Sequence, residues 1–201
     1  MKNILILFAH PALQKSHVNK ILIEDLDQVE GITFHDLYQS YPEFDIDVKH
    51  EQELLEQHHI IVLHHPFFWY STPAILKEWQ DLVLEHGWAY GSTGNALKDK
   101  ICFNVVTTGG RKEAYSQKGY NNYTIRQLLA PIEQTTKLCK MIYLPPYVIH
   151  GTHSITAESI EQHRQELRLI LKELQQNNLT NEQLREHDYF NDYFQKIQKV
   201  K

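Results

Sequence analysis

The sequence predicts an α/β protein built on one parallel sheet with helices on both faces. Three observations carry that expectation. Continuously apolar runs of strand length recur along the chain, as strands buried on both faces require. Between them lie segments whose apolar residues repeat at helical spacing. The 201 residues, 42% hydrophobic and 22% charged, are globular in composition and enough for one domain with a sizeable core.

The elements follow in order. Residues 4–9 are apolar throughout and form the first strand. Val18, Ile21, Leu22, Leu26 and Val29 read as one helical stripe, which Gly31 ends. Residues 32–37 form a short second strand, 47–58 a polar segment with a short helix, and 60–63 the third strand. Thr72 and Pro73 open the next helix as N-cap and first helical residue. Ile75, Leu76, Trp79, Leu82 and Val83 are its buried stripe. Residues 101–107 form the fourth strand. Thr124 and Gln127 have capping-box spacing at the start of a further helix, which Pro131 either kinks or truly begins. Residues 141–149 contain the fifth strand, broken by Pro145-Pro146. Thr156 caps the last core helix, with Ile155 and Ile160 at hydrophobic-staple positions.

Strands alternating with helices imply right-handed crossovers and a covered parallel sheet. Five strands in about 175 residues suit a flavodoxin-like three-layer sandwich of strand order 2-1-3-4-5. In such sheets ligands bind beyond the carboxyl ends of the strands, near the switch in strand order. That selects the loops after strands 1, 3 and 4.

Those loops are the most distinctive parts of the chain. The first holds His10, Ser16, His17, Val18 and Asn19 at the start of a helix, where N–H groups and side-chain donors suit a phosphate. A helix-capping role for Ser16 explains the same residues equally well. The second holds Phe67, Phe68, Trp69 and Tyr70. Four successive aromatics cannot all face one core, and flat rings line pockets for flat ligands; an aromatic plug under the loop is the alternative. The third holds Thr107, Thr108, Gly109 and Gly110, where paired glycines either admit close backbone approach or make an ordinary turn. Together the loops offer a phosphate grip, an aromatic wall and a glycine-lined floor, the parts that a flavin mononucleotide needs. Walker and Gly-x-Gly-x-x-Gly patterns are absent from the sequence.

Composition narrows the function further. Twenty basic against 25 acidic residues give a charge of −5, which argues against a nucleic-acid partner. Apolar runs stay far below the ~20 residues of a membrane span, and Lys2 leads directly into a strand-like run without a cleavage site. Two cysteines, Cys102 and Cys139, are too few for a disulfide scaffold. A cytoplasmic protein is expected. Thirteen histidines invite a metal, but His58-His59 and His64-His65 are strand neighbours facing opposite ways, and His150-x-x-His153 lacks a matching ligand cluster. Cys102, in a core strand, reads as an inert thiol. Asp45 and Asp47 read as loop-ordering or helix-capping groups.

Several strings carry a family resemblance. They are Ala9-His10-Pro11 with Ser16-His17-Val18-Asn19, Asp36-Leu37-Tyr38 with Tyr41-Pro42-Glu43-Phe44-Asp45-Ile46-Asp47, and His65-Pro66 with Trp69-Tyr70-Ser71. Leu76-Lys77-Glu78-Trp79, Gly87-Trp88-Ala89-Tyr90-Gly91, Thr107-Thr108-Gly109-Gly110 and Leu144-Pro145-Pro146 complete the set. The sequence resembles the flavodoxin-like NAD(P)H:quinone oxidoreductases. It most resembles the bacterial branch with the ancillary flavoproteins of the Kef glutathione-gated potassium-efflux systems and the general stress proteins.

The resemblance implies FMN, rather than FAD, held by His10, residues 16–19, 67–70 and 107–110. It implies NAD(P)H as hydride donor, a quinone as acceptor, ping-pong kinetics, and a homodimer with the flavin near the subunit interface. The loop of residues 87–94, with Trp88 and Tyr90, is expected to help cover that site. Backbone N–H groups at 68–70 and 109–110 are candidates for stabilising charge on the reduced ring. The mammalian members carry a tyrosine and, six residues on, a histidine. Tyr115 matches the tyrosine, but Asn121 stands at the histidine position, and Tyr120 beside it is the candidate substitute. Two alternative roles share this flavin site: an ancillary subunit of a membrane potassium/proton antiporter, peripheral at the inner face of the membrane, and a nitro or azo reductase.

The expected domain is residues 1–176, followed by a helical extension over 177–201. There Thr180 and Gln183 have capping-box spacing, and Tyr189, Phe190, Tyr193, Phe194 and Ile197 make an apolar stripe that docks on its own domain or on a partner.

Overall fold

The structure is a computed structural model that describes residues 1–178, 184 and 186–193. The capping pair Thr180/Gln183 and the stripe residues Phe194 and Ile197 lie outside the described residues. In chain order the elements are β1 (Ile4–Phe8), α1 (His17–Ile23), β2 (Ile32–Asp36), α2 (Leu37–Ser40), α3 (Val48–Gln57), β3 (Ile60–Pro66) and α4 (Ala74–Val83). They continue with β4 (Ile101–Thr107), α5 (Ile125–Leu128), α6 (Ala130–Leu138), β5 (Ile142–Tyr143), β6 (Tyr147–Ile149) and α7 (Ala157–Gln175).

All the pairings are parallel and the sheet order is β2-β1-β3-β4-β5, with β6 also pairing β4. This is the expected flavodoxin-like order. Pro145-Pro146 splits the last strand into β5 and β6, because two consecutive residues without an N–H cannot extend the ladder. Strand alternation sorts the core into two layers. Leu5, Leu7, Ile61, Leu63, Cys102 and Val106 face α2 to α6, while Ile4, Ile6, Ile60, Val62, Phe103 and Val105 face α1 and α7.

Caps fix most helix starts. Asp36 caps α2, Asp47 caps α3 through the His50 N–H at 3.0 Å, and Thr156 caps α7. Thr124 and Gln127 form the full capping box of α5, and Pro131 lies in the first turn of α6, so it marks a true start and not a kink. Beneath α3 and α4 the Glu51 carboxylate is fully buried. It accepts hydrogen bonds from His35 Nε2 at 2.7 Å, Tyr41 Oη at 2.6 Å and Trp79 Nε1 at 2.8 Å. Burial alone would raise its pKa; these donors outweigh that and hold it below the usual carboxylate value.

Three expectations are corrected. The stripe from Val18 to Val29 is not one helix: α1 stops at Ile23, Asp25 takes a left-handed conformation (φ 57°), and a 3-10 turn carries Leu26 back into the core. The cause is tertiary. Arg168 on α7 donates to the Glu24 and Asp25 carbonyls, and Arg164 pairs with both carboxylates at 3.4 and 3.6 Å. In α4 the first helical residue is Ala74 and Pro73 is the cap residue, without a side-chain cap from Thr72. Leu82 is 40% exposed, off the stripe of Ile75, Leu76, Trp79 and Val83. The 87–94 loop lies between α4 and the start of β4, at the opposite end of the strands from the switch point. Trp88 Nε1 bonds Glu56 there, and Lys140 Nζ bonds the Gly91 and Gly94 carbonyls. Within its own subunit the loop therefore lies away from the switch point.

The chain beyond α7 returns to the core. Phe190 is fully buried, edge-on to Phe103 at 5.1 Å, and its N–H donates to the Pro146 carbonyl at 3.0 Å. The Asn191 side chain brackets β6, accepting from the Val148 N–H at 2.9 Å and donating to its carbonyl at 3.0 Å. An amide there pairs a strand edge that would otherwise be open. Truncating Phe190 to Ala removes this buried ring, and an expected loss of about 3–4 kcal/mol would appear as a lower urea midpoint with an unchanged m-value.

Candidate functional site

At the carboxyl ends of β1, β3 and β4 lies a cavity of about 530 Å³. The right-handed crossovers place α1 and α4 on opposite faces, so their connecting loops diverge and leave this crevice. Nine of the thirteen cofactor residues expected from sequence line it: His10, Ser16, His17, Val18, Asn19, Phe67, Phe68, Thr107 and Gly109. Lys15, Ala12, Pro66, Thr152 and His153 complete the lining.

The first loop is held by its own polar groups. Ser16 Oγ caps α1 by accepting from the Asn19 N–H at 3.1 Å. Helix geometry leaves the N–H groups of His17 and Val18, the first two of α1, without acceptors inside the helix. The Ala12 N–H donates to His10 Nδ1 at 3.1 Å, and burial lowers the pKa of this imidazole. Serine therefore caps the helix and lines the cavity at once, and the two sequence readings of it do not exclude one another.

Asn19 is the hub of the site. Its amide nitrogen donates to Ser16 Oγ at 3.1 Å and to Thr107 Oγ1 at 3.0 Å. Its oxygen is therefore left to accept from His64 Nε2 at 3.1 Å. One buried side chain thus ties the α1 start to the ends of β3 and β4. The next residue, His65, faces the other layer: its Nε2 accepts from Asn104 Nδ2 at 3.0 Å, and Tyr143 Oη donates to Asn104 Oδ1 at 2.7 Å. Full burial holds both imidazoles neutral, His64 pushed down to about 3 and His65 to about 4.

Four expected residues lie off the cavity lining. Trp69 and Tyr70 form a two-residue turn, both with positive φ (49° and 64°), closed by reciprocal hydrogen bonds between Phe68 and Ser71. Such a turn normally takes Asn-Gly, so large side chains here carry backbone strain of about 1–3 kcal/mol each. It leaves Trp69 94% exposed at the rim. Thr108 Oγ1 shares a 2.7 Å hydrogen bond with Tyr115 Oη. The glycines serve neighbouring rings: a Cβ on Gly109 would meet His153 Nε2 at 2.5 Å, and one on Gly110 would meet the Tyr115 ring at 2.8 Å.

The three residues expected in catalysis stand apart from the lining. Tyr115 packs edge-on to Phe67 at 6.1 Å, one side chain away from the cavity. Asn121 Oδ1 accepts from Tyr70 Oη at 3.1 Å, and Tyr120 is 89% exposed. Lys15, Thr152 and His153 were not singled out from sequence as site residues. Lys15 sat inside a loop already chosen, where a cation suits a phosphate. His153 lies in a loop after the last strand, outside the switch-point rule. Cys102 is buried and its thiol is pushed up to about 12, which fits an inert core residue.

Depressed histidines make stability depend on pH. His64 and His65 stay neutral when folded, but take up protons near pH 6.5 when unfolded. Stability is then full above pH 6.5 and falls as pH drops toward 4, by about 1.4 kcal/mol per unit for each histidine. Urea titrations at pH 7 and pH 5 should show this loss, and the double variant His64→Gln/His65→Gln should flatten the slope by about two protons.

Comparison with known proteins agrees with this geometry. A family model described as "Flavodoxin-like fold" matches residues 2–171. The ancillary protein KefG of the glutathione-regulated potassium-efflux system from Serratia proteamaculans (strain 568) is 45% identical over 160 residues, 80% of this chain and 87% of that protein. The structure of general stress protein 14 from Treponema denticola, in complex with FMN, superposes with a TM-score of 0.82 at 36% identity, covering 86% of this chain and 99% of that one. An NADPH-quinone reductase from P. pentosaceus gives a TM-score of 0.74 at 31% identity, covering 81% and 93%. No helix among the described residues is long and apolar enough to cross a membrane. By fold, site position and sequence, the chain belongs to the flavodoxin-like fold family.

Proposed function

We propose that this chain is an FMN-dependent NAD(P)H:quinone oxidoreductase acting as a homodimer. The observation that carries the reading is the cavity at the switch point, whose two ends differ in chemistry. One end has Lys15, Ser16 and the first N–H groups of α1, a set suited to a phosphate. The other has Phe67, Phe68, Thr107 and Gly109, suited to a flat ring with a polar edge. The residues therefore fit FMN. The FMN-bound Treponema relative and the quinone reductase neighbour support the same reading.

FMN, when bound, supplies two-electron hydride exchange between NAD(P)H and a quinone. The protein's part is grip, orientation and charge. Lys15 and the α1 start hold the phosphate, and Phe67 and Phe68 wall the ring. Phe68 N–H is committed to the Ser71 carbonyl and Gly110 N–H to Thr108 Oγ1, so of the expected donors Gly109, which lines the cavity, would offer its N–H to the polar ring edge. Tyr115 Oη, hydrogen-bonded to Thr108, is the candidate to orient an acceptor oxygen. One slot shared by donor and acceptor gives ping-pong kinetics.

A second reading is favoured by the KefG relative: an ancillary subunit of a potassium-efflux antiporter, soluble by itself and membrane-associated through its partner. Co-purification with such an antiporter and an altered potassium flux would support it. For the oxidoreductase, the purified protein should show flavin absorption near ~450 nm, or bind added FMN, and then reduce quinones with NAD(P)H. Absence of both sinks the reading. Lys15→Glu should weaken FMN at least about tenfold while leaving riboflavin, which lacks the phosphate, within about twofold.

A further inference from the structure

The tail brings a second cavity into the structure. About 340 Å³ of space lies between Tyr115, His150 and Tyr189, with Lys112, Ser116 and Thr124 at its edges. That volume falls in the range of small-molecule sites. Tyr115 stands between the two cavities, since it packs on Phe67 at 6.1 Å on one side and on His150 at 5.8 Å on the other. The wall at Tyr189 lies beyond the family match, which ends at residue 171. The KefG match likewise covers 87% of that protein but only 80% of this chain.

The wall is built, not incidental. Phe190 and Asn191 lock the segment to β4 and β6, as described above. The Tyr189 ring is partly buried and packs against the core layer that includes Ile125 and Leu129. Asp192 pairs with Lys112 at 3.6 Å.

The polar groups around the cavity are largely committed to the protein. Thr124 Oγ1 accepts from the Gln127 N–H at 3.1 Å, and Ser116 Oγ donates to the Glu113 carbonyl at 3.1 Å. Lys112 pairs with Asp192 at 3.6 Å, and Glu113 adds one carboxylate at the edge. Burial pushes His150 down to about 4, so its ring is uncharged near neutral pH. What remains for a ligand is three rings, the buried His150 Nδ1 that has no hydrogen-bond partner among the described residues, and one acidic group at the edge.

We propose that the tail completes an accessory binding site for a flat, uncharged arene, held by ring contact between Tyr189 and the Tyr115–His150 pair. Quinones and hydroquinones belong to this class. Identifying the arene with an electron acceptor rests on the oxidoreductase reading, but the site itself does not.

The test uses full-length protein without added flavin and 2-naphthol as a redox-quiet probe, read by saturation-transfer NMR and titration. The wild type should bind. Tyr189→Ala should weaken binding at least tenfold, and Tyr189→Phe should stay within twofold, since the ring and not the hydroxyl makes the contact. Ser116→Trp, which fills the cavity from the core side, should also weaken it at least tenfold, and it decides the matter if Tyr189→Ala fails to fold. No wild-type binding up to about 1 mM, or equal binding by wild type and Ser116→Trp, overturns the proposal. FMN affinity should stay within twofold in every variant. A protein that binds naphthol in this pattern but never binds FMN would retain the accessory site and lose the flavin reading.

Discussion

The Asn19 carboxamide is the constraint on which the site depends. It sits where α1 begins, and it holds Ser16, His64 and Thr107 in one hydrogen-bonded set. Each partner comes from a different βα segment. A buried amide has few ways to satisfy two donors and an oxygen, so the three segments share one arrangement. Loss of any partner would strand a buried polar group, which costs more than a hydrogen bond is worth in net terms. The cavity mouth is therefore rigid at its base, while the Trp69-Tyr70 turn above it is strained and exposed.

Charge follows the same logic. Where burial is complete, the imidazoles are neutral and bond as dipoles, as His64 and His65 do on opposite faces of β3. Where a carboxylate is buried, at Glu51, three donors converge on it. None of His64, His65 and Glu51 lines the large cavity. Both clusters hold α/β layers in place, and the open groups needed for a ligand are confined to the strand ends. A flavin reading, an antiporter-subunit reading and the accessory arene site all draw on that same separation of a closed core from an open rim.

Much of this was legible from local signals. Both-face burial of the strands, the capping box at Thr124, the cap at Thr156 and the break at Pro145-Pro146 are local chemistry, and each appears as expected. So does the choice of loops, because parallel strand order fixes which ends converge. The failures share one cause. Helix 1 stops early where Arg168 on α7, more than 100 residues away, takes the Glu24 and Asp25 carbonyls and Arg164 pairs with their carboxylates. His153 joins the site because of where its loop lies in space. Tyr115, Tyr120 and Asn121 all stand outside the cavity lining.

The sequence by itself therefore determined the fold class, the strand order and the three segments that meet at the switch point. These depend on periodicity, capping and chain connectivity, all of which are local. Only the tertiary structure decided which side chains in those segments face the cavity, that the paired glycines make room for His153 and Tyr115, and that the tail walls a second cavity. These depend on contacts between residues far apart in the chain, and no local pattern encodes which distant groups a side chain will meet.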